Sequence, residues 1–373
     1  MRIGIDIREL SVLNTKAGWY QYTYNLVASL LAHDDRNDYV LLSTLRGFEG
    51  NGNIPGRFVR RFSGRLSSLL LEKLSVPVEL LVGKVDVFHG PCFLVPRARR
   101  SRIVATLHDL MAITHPEFLK PEWVANTRET IAGAADRADR IIAVSNFTKG
   151  EIVERLRIPE ERVRVVYNGV APVYRPVEDR AAIERVRIRY GVQGPYLLFV
   201  GNLEPKKNIL SLIEAWALLR RESRFQGSLV IVGKKDWHFD DVWQACRRHG
   251  VEGEVIFTDV AEGDDLPYLY SGAEVFVFPS LHEGFGIPVI EAMACGTPVV
   301  ASNRASIPEI ASDAALLVDP LKPAEIAAAA HSIMTDGAVR KRLVEKGLKR
   351  AKEFSWERTA RETLNVYNEL AQS

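Results

Sequence analysis

Short β-branched runs recur along this chain at residues 3–7, 39–43, 87–89, 103–107, 141–144 and 163–167, and again at 196–200, 229–232, 255–258, 275–278, 298–301 and 316–318. Most are separated by stretches with helical spacing, the mark of βαβ units and parallel sheets. The pattern predicts an α/β fold of two doubly wound parallel-sheet domains, and 373 residues is enough for each to bury its own core. Residues 168–194 hold Gly169, Pro172, Pro176 and a strongly charged helical stretch, a connector's composition. The domains are therefore placed at 1–172 and 173–355. Residues 356–373 read as an amphipathic helix with Ser355 as N-cap, expected to return to the first domain.

Composition excludes several classes. With 49 Lys plus Arg against 47 Asp plus Glu, the formal charge is only +2, too balanced for a general nucleic-acid coat protein. Cys92, Cys246 and Cys295 are odd in number and far apart, so they offer no disulfide framework and no metal knuckle. Asp6 interrupts the apolar stretch that a signal peptide needs, and no apolar run approaches the length of a membrane span. A reducing, cytoplasmic location is expected. Residues 57–102 carry ten basic residues against Glu72, Glu79 and Asp86, interleaved with Leu66, Leu69, Leu70 and Leu74. This reads equally as a basic amphipathic face for an anionic membrane surface, making the protein peripheral on the inner leaflet, or as a solvated helix face.

A βαβ fold invites a search for a G-x-G-x-x-G fingerprint, and none is present, nor is a P-loop. A nicotinamide dehydrogenase and a P-loop kinase are therefore disfavoured. The informative stretch is 280–298, which reads as strand end, glycine loop, helix, strand. Pro288 suits a first helical turn and Gly296 a left-handed residue after the last. Backbone N–H groups of a Gly-x-Gly loop entering a helix N-terminus make an anion site, and a pyrophosphate fits there. Glu283 and Glu291 flank it, poor neighbours for phosphate but good acceptors for sugar hydroxyls; a capping role for Glu283 and a surface position for Glu291 are the bland reading.

The run His282-Glu283-Gly284-Phe285-Gly286 followed by Glu291-Ala292-Met293-Ala294-Cys295-Gly296-Thr297-Pro298-Val299 resembles the E-x7-E signature of glycosyltransferase family 4. The stretches Val200-Gly201-Asn202-Leu203-Glu204-Pro205-Lys206-Lys207-Asn208, Ile141-Ile142-Ala143-Val144-Ser145 and Val166-Tyr167-Asn168-Gly169-Val170 are also similar to family patterns. The resemblance implies the GT-B architecture, two Rossmann-like domains facing a cleft, with retaining sugar transfer and no metal or other cofactor. It assigns Glu291 to the donor ribose, Glu283 to the transferred sugar, and the backbone of Gly284, Phe285, Gly286 and Ile287 to donor oxygens. Lys207 becomes the cation on the pyrophosphate, with Lys206 a near rival. Gly201 and Gly233 belong to the same donor site. Where many relatives carry an arginine, this chain has Asn202, so a second cation is to be sought at Lys206, Lys234 or Lys235, which otherwise read as ordinary loop lysines.

In the first domain, His108 follows a buried-looking strand, and the family has a histidine here that faces the transferred sugar; Asp109 orients it or caps the next segment. Lys16, Gly18 and Trp19 occupy the loop and helix start that face the acceptor in the family, Lys16 standing where relatives often have glycine. Trp19, Tyr20, Tyr22 and Tyr24 read as stacking faces for a sugar, while Tyr20 and Tyr24, which recur with Val27 and Leu31 at helical spacing, read also as core. His89 and Gly90 are weaker pocket-lining candidates. The expected function is transfer of a hexose from a nucleoside-diphosphate sugar to a saccharide or lipid-linked saccharide acceptor in cell-surface polysaccharide synthesis. The phosphate-loop sequence looks most like surface-polysaccharide mannosyltransferases, which favours GDP-mannose, with UDP-hexoses and dTDP-rhamnose as open alternatives. A nucleotide-sugar 2-epimerase and a non-catalytic nucleotide-sugar sensor are the alternatives.

Overall fold

A computed structural model describes the chain except residues 12–17, 44–57, 63–76, 224, 236–238, 263 and 373, and describes residues 11 and 58–62 by their backbone alone. The chain divides into two compact units, Met1–Gly169 with Ser355–Ser373, and Val170–Phe354.

In the first unit seven parallel strands, β1 (Arg2–Asp6), β2 (Asp38–Ser43), β3 (Phe58–Phe62), β4 (Val87–Gly90), β5 (Arg102–Leu107), β6 (Arg140–Ala143) and β7 (Val163–Val165), lie in the order β3-β2-β1-β4-β5-β6-β7. The central strands are buried along nearly their whole length, as Ile3, Ile5, Phe88, Val104 and Leu107 show, because helices cover both faces of such a sheet. The sequence analysis did not anticipate β3. Part of the basic stretch is an edge strand, with Arg60 opposite Leu41 and Arg61 opposite Leu42, and charge on an edge discourages pairing with other chains. Arg57, Arg65, Lys73 and the four leucines of the expected amphipathic face lie outside the described residues, as does Lys16.

The second unit holds six parallel strands, β8 (Tyr196–Val200), β9 (Ser228–Val232), β10 (Val255–Asp259), β11 (Val275–Phe278), β12 (Val299–Ser302) and β13 (Ala315–Val318), in the order β10-β9-β8-β11-β12-β13. Each sheet therefore reverses its order once, between β1 and β4 in the first and between β8 and β11 in the second. Doubly wound sheets bind ligands beyond the carboxyl ends of the strands at such switch points.

The division falls at 169/170 rather than 172/173, and Ser355 belongs with the terminal helix rather than with the second unit. Gly169 lies so close to that helix that a Cβ on it would come within 2.2 Å of the Trp356 nitrogen, whereas Val170 N–H donates to Phe354 O at 3.2 Å inside the second unit. Ser355 caps the helix Trp356–Ala371 by accepting from Arg358 N–H at 3.1 Å. Thr359, Val366, Tyr367 and Leu370 are among its buried residues, and it packs on the helix Gly18–His33 and on β4, β5 and β6.

Candidate active site

The donor-side candidates of the second unit gather at the β8/β11 switch point. After β8 the chain turns at Gly201, φ 153°, whose N–H donates to Val232 O at 2.8 Å. The turn after β9 presses against it, since a Cβ on Gly233 would sit 1.9 Å from Gly201 O. Only glycine allows this backbone-on-backbone approach. Leu203 N–H then donates to Lys234 O at 3.0 Å, joining the two loops. The 3₁₀ turn Pro205–Lys207 follows, and Asn208, in the left-handed region at φ 57°, anchors it by donating to Pro279 O and Pro320 O at 3.2 and 2.6 Å.

This turn delivers Lys207 to Glu283. The ammonium Nζ lies 2.5 Å from Glu283 Oε1 and 4.9 Å from the centre of the Phe278 ring, and both ionic side chains are about nine-tenths buried. Ser280 Oγ donates to the same carboxylate oxygen at 2.7 Å. Burial alone would push the Glu283 carboxyl up, but the charges of Lys207 and Lys206, with the Lys207 and Ser280 hydrogen bonds, hold it down at about 2. Lys207 rather than Lys206 makes the ion pair. Lys206 lies 4.0 Å from Glu204 Oε2, while its carbonyl accepts from Leu281 N–H at 2.7 Å.

The glycine loop enters the helix Ile287–Ala294 with Pro288 in its first turn, and its N-cap, Gly286 at φ 99°, makes no side-chain cap bond. Glu283 Oε1 is taken by Lys207 and Ser280. Ser306 Oγ lies 2.8 Å from Glu283 O and 3.0 Å from Phe285 O, which ties the loop's carbonyls to one side. Glu291 is buried rather than at the surface. Tyr270 O–H donates to its Oε2 at 3.0 Å, and Tyr174 also hydrogen-bonds the carboxylate. Burial raises this carboxyl to about 7, with the two phenol hydrogen bonds opposing the rise. Asn202 is half-buried on the Gly201 turn; Lys234 and Lys235 are exposed, the latter 3.6 Å from Asp259 Oδ2.

In the first unit His108 follows β5, as expected. Its Nε2 is 2.8 Å from Pro91 O, and its ring meets the edges of Tyr22 and Phe93 at centroid distances of 4.7 and 5.7 Å. Burial lowers the imidazole pKa, against the Pro91 hydrogen bond and the Asp109 charge. Asp109 Oδ1 accepts from Met111 N–H at 3.1 Å, the capping alternative. Tyr22 is fully buried and offers no stacking face, while Tyr20 and Tyr24 are half-buried. His89 is also fully buried, so it does not line a pocket. Gly18 opens the helix Gly18–His33 and Trp19 is half-buried beside it.

Sequence reasoning missed Ser280, Ser306, Asn208, Tyr174 and Tyr270. Ser280, three residues before Glu283, and Asn208, directly after Lys207, carried a local signal; Tyr174, Tyr270 and Ser306 meet the site only through tertiary packing.

Two doubly wound domains, the second with a buried cation–carboxylate pair and a glycine-lined helix start at its switch point, have the layout of a GT-B glycosyltransferase. The family model for glycosyl transferases group 1 matches residues 183–350, and that for glycosyltransferase family 4 matches residues 18–174. The O-antigen chain mannosyltransferase B of Escherichia coli is 36% identical over 287 residues, covering 76% of this chain and 74% of that protein. Sucrose-phosphate synthase from Thermosynechococcus elongatus shares the fold with a TM-score of 0.80 at 22% identity, each chain covered completely. HepE from Anabaena, solved with UDP and glucose, does so with a TM-score of 0.77 at 20% identity over 99% of this chain and 100% of its own. The chain belongs to glycosyltransferase family 4.

Lys207→Met removes one partner of a buried ion pair and is expected to cost about 3–5 kcal/mol at pH 7 in urea unfolding. Because Glu283 has a depressed pKa in the folded protein, its contribution is present above its unfolded value of roughly 4.3 and is lost as pH falls toward 2. The gap between the parent protein and the variant should therefore narrow from pH 7 to pH 3. A constant gap would show that the pair is not what stabilises this loop.

Proposed function

We propose that the protein is a retaining, metal-independent hexosyltransferase that moves mannose from GDP-mannose to a saccharide or lipid-linked saccharide in surface-polysaccharide synthesis. The observation that carries this reading is the Lys207–Glu283 pair beside the start of the helix Ile287–Ala294, with Glu291 one helical segment away. The relationship to a mannosyltransferase of O-antigen chains supports the sugar and the acceptor class.

Lys207 and the N–H groups at 284–287 neutralise the diphosphate as it departs. The acceptor oxygen bonds to the anomeric carbon on the face from which the diphosphate leaves, and the acceptor proton passes to a diphosphate oxygen. Configuration is thereby retained, and Lys207 supplies the charge stabilisation that a metal provides elsewhere. Removing such a group typically costs about 10²–10³ in rate. Glu283 accepts from hydroxyls of the transferred sugar and Glu291 from the ribose, while His108 contacts the transferred sugar.

A thermal-shift panel of GDP, UDP and dTDP is expected to show the largest stabilisation with GDP, about 2.7 kcal/mol at 100 times its dissociation constant; stabilisation by UDP alone would reassign the donor. A carboxylate accepts ribose hydroxyls best when ionised, so GDP affinity should rise as pH passes through about 7, and Glu291→Gln should abolish that dependence. Separately, His108→Ala should leave GDP affinity unchanged and lower turnover; an unaltered turnover would remove His108 from the site.

We also propose peripheral attachment to an anionic cytoplasmic leaflet. No helix among the described residues is long and apolar enough to cross a membrane. A groove of ≈ 670 Å³ at the amino ends of the first sheet's strands is lined by Lys84, Arg99, Arg100 and Arg102 against Glu79 and Asp86, with Leu80 70% exposed beside them. Co-sedimentation with phosphatidylglycerol-containing vesicles should be strong at low salt and weak at high salt. Absent or salt-indifferent binding would refute the attachment.

A further inference from the structure

Pro91 O can only accept a hydrogen bond, so His108 Nε2, 2.8 Å away, carries the proton of the neutral ring. Nδ1 is then the nitrogen left with a lone pair. Which nitrogen faces outward depends on the plane of the ring, and that plane is set by the edges of Tyr22 and Phe93, inclined at 82° and 74° to it. Phe93 stands there with φ 51°, a left-handed conformation that bulky residues seldom adopt, and its N–H donates to Thr106 O at 3.2 Å.

The Tyr22 ring is itself immobilised. Its hydroxyl lies 3.1 Å from Thr106 Oγ1, which lies 2.8 Å from His89 Nε2, and His89 Nδ1 lies 2.6 Å from the hydroxyl of Tyr367 on the terminal helix. Tyr22, Thr106, His89 and Tyr367 are all fully buried. In a dry interior each polar group needs its neighbour, so none can move without stranding another. Trp356, at the start of the same terminal helix, closes the other side of Tyr22 at 5.9 Å.

We propose that Tyr22 is a positioning residue for His108, fixing the ring with Nδ1 free to accept from a substrate hydroxyl, and that Thr106, His89 and Tyr367 hold Tyr22 in place. The terminal helix thus takes part in setting the imidazole of a strand some 250 residues earlier in the chain. The proposal rests on the reading of His108 as a sugar-contacting group. Among the described residues, the titratable groups around the ring are Asp109, whose charge favours protonation, His89, which burial pushes down to about 3, and the Tyr22 hydroxyl.

Thr106→Val breaks the chain of hydrogen bonds and Thr106→Ser retains it. Nitrogen NMR of the full chain should show His108 as the Nε2–H tautomer in the parent protein and in Thr106→Ser. In Thr106→Val the other tautomer should become populated and the titration should move up toward the ordinary imidazole value. Turnover requires the neutral ring and is lost as pH falls through its pKa, so the acid limb of kcat should move to higher pH in Thr106→Val. At the plateau kcat should fall by about 10- to 100-fold, the scale of ångström-level misplacement, with donor KM unchanged. Tyr367→Phe, which does not touch His108, should act in the same direction. An unchanged tautomer and titration in Thr106→Val and Tyr367→Phe, even with a lower Tm, would overturn the proposal; should Thr106→Val not fold, Tyr22→Phe carries the same measurement. The tautomer is read without substrate, so absence of sugar transfer would defeat the proposed function alone.

Discussion

An ammonium and a carboxylate withdrawn from water together, Lys207 and Glu283, are the contact on which the donor end of this protein depends. Either ion alone at that depth would carry a desolvation penalty of several kcal/mol, and only close approach with further hydrogen bonds offsets it. Ser280 and the Phe278 ring complete the set. The pair also fixes geometry, joining the loop after β8 to the loop after β11 across the point where the sheet reverses. Above all it commits the nearest acid to a lysine. Gly286, the N-cap of the helix, has no side chain with which to cap it, and the positive end of the helix dipole there favours an anion.

The two glutamates of the motif show how neighbours, not burial, decide charge. Both are about equally sequestered, at 8% and 9% exposure. Glu283 meets cations and sits at about 2, whereas Glu291 meets two phenols and sits at about 7. Phenol hydrogen bonds oppose the desolvation of Glu291 without cancelling it. Near neutral pH the site therefore holds one permanent negative charge, matched by Lys207, and a second that is only partly developed. A diphosphate approaching it meets less repulsion than the count of carboxylates suggests.

Most of the fold was legible because parallel strands buried on both faces write themselves as continuous β-branched runs, and twelve of the thirteen strands among the described residues were found that way. β3 escaped because an edge strand, Phe58–Phe62, carries Arg60 and Arg61 and lacks that pattern. The site was legible where function is local: Gly286, Pro288, Glu283 and Glu291 lie within one strand–loop–helix unit. Lys207 stood ahead of Lys206 through the resemblance and not by position, because adjacent residues differ in direction only once the turn Pro205–Lys207 and its Asn208 anchor exist. Tyr22 read as a stacking face, and its hydroxyl network spans 345 positions from Tyr22 to Tyr367 that no local pattern records.

Asn202 stands where the family pattern often has arginine, and the lysines around it differ in their surroundings. Lys234 and Lys235 sit on the neighbouring loop, exposed, and Lys235 leans toward Asp259. The Lys206 side chain is only 13% exposed, and its charge, after that of Lys207, helps to hold the Glu283 carboxyl down. A cation already felt by Glu283 at close range in a poorly solvated loop acts on a phosphate there with little screening, whereas an exposed lysine is diluted by water and salt. The adjacent cations Lys206 and Lys207 lie in one 3₁₀ turn, and the close Gly201–Gly233 contact fixes the approach to that turn.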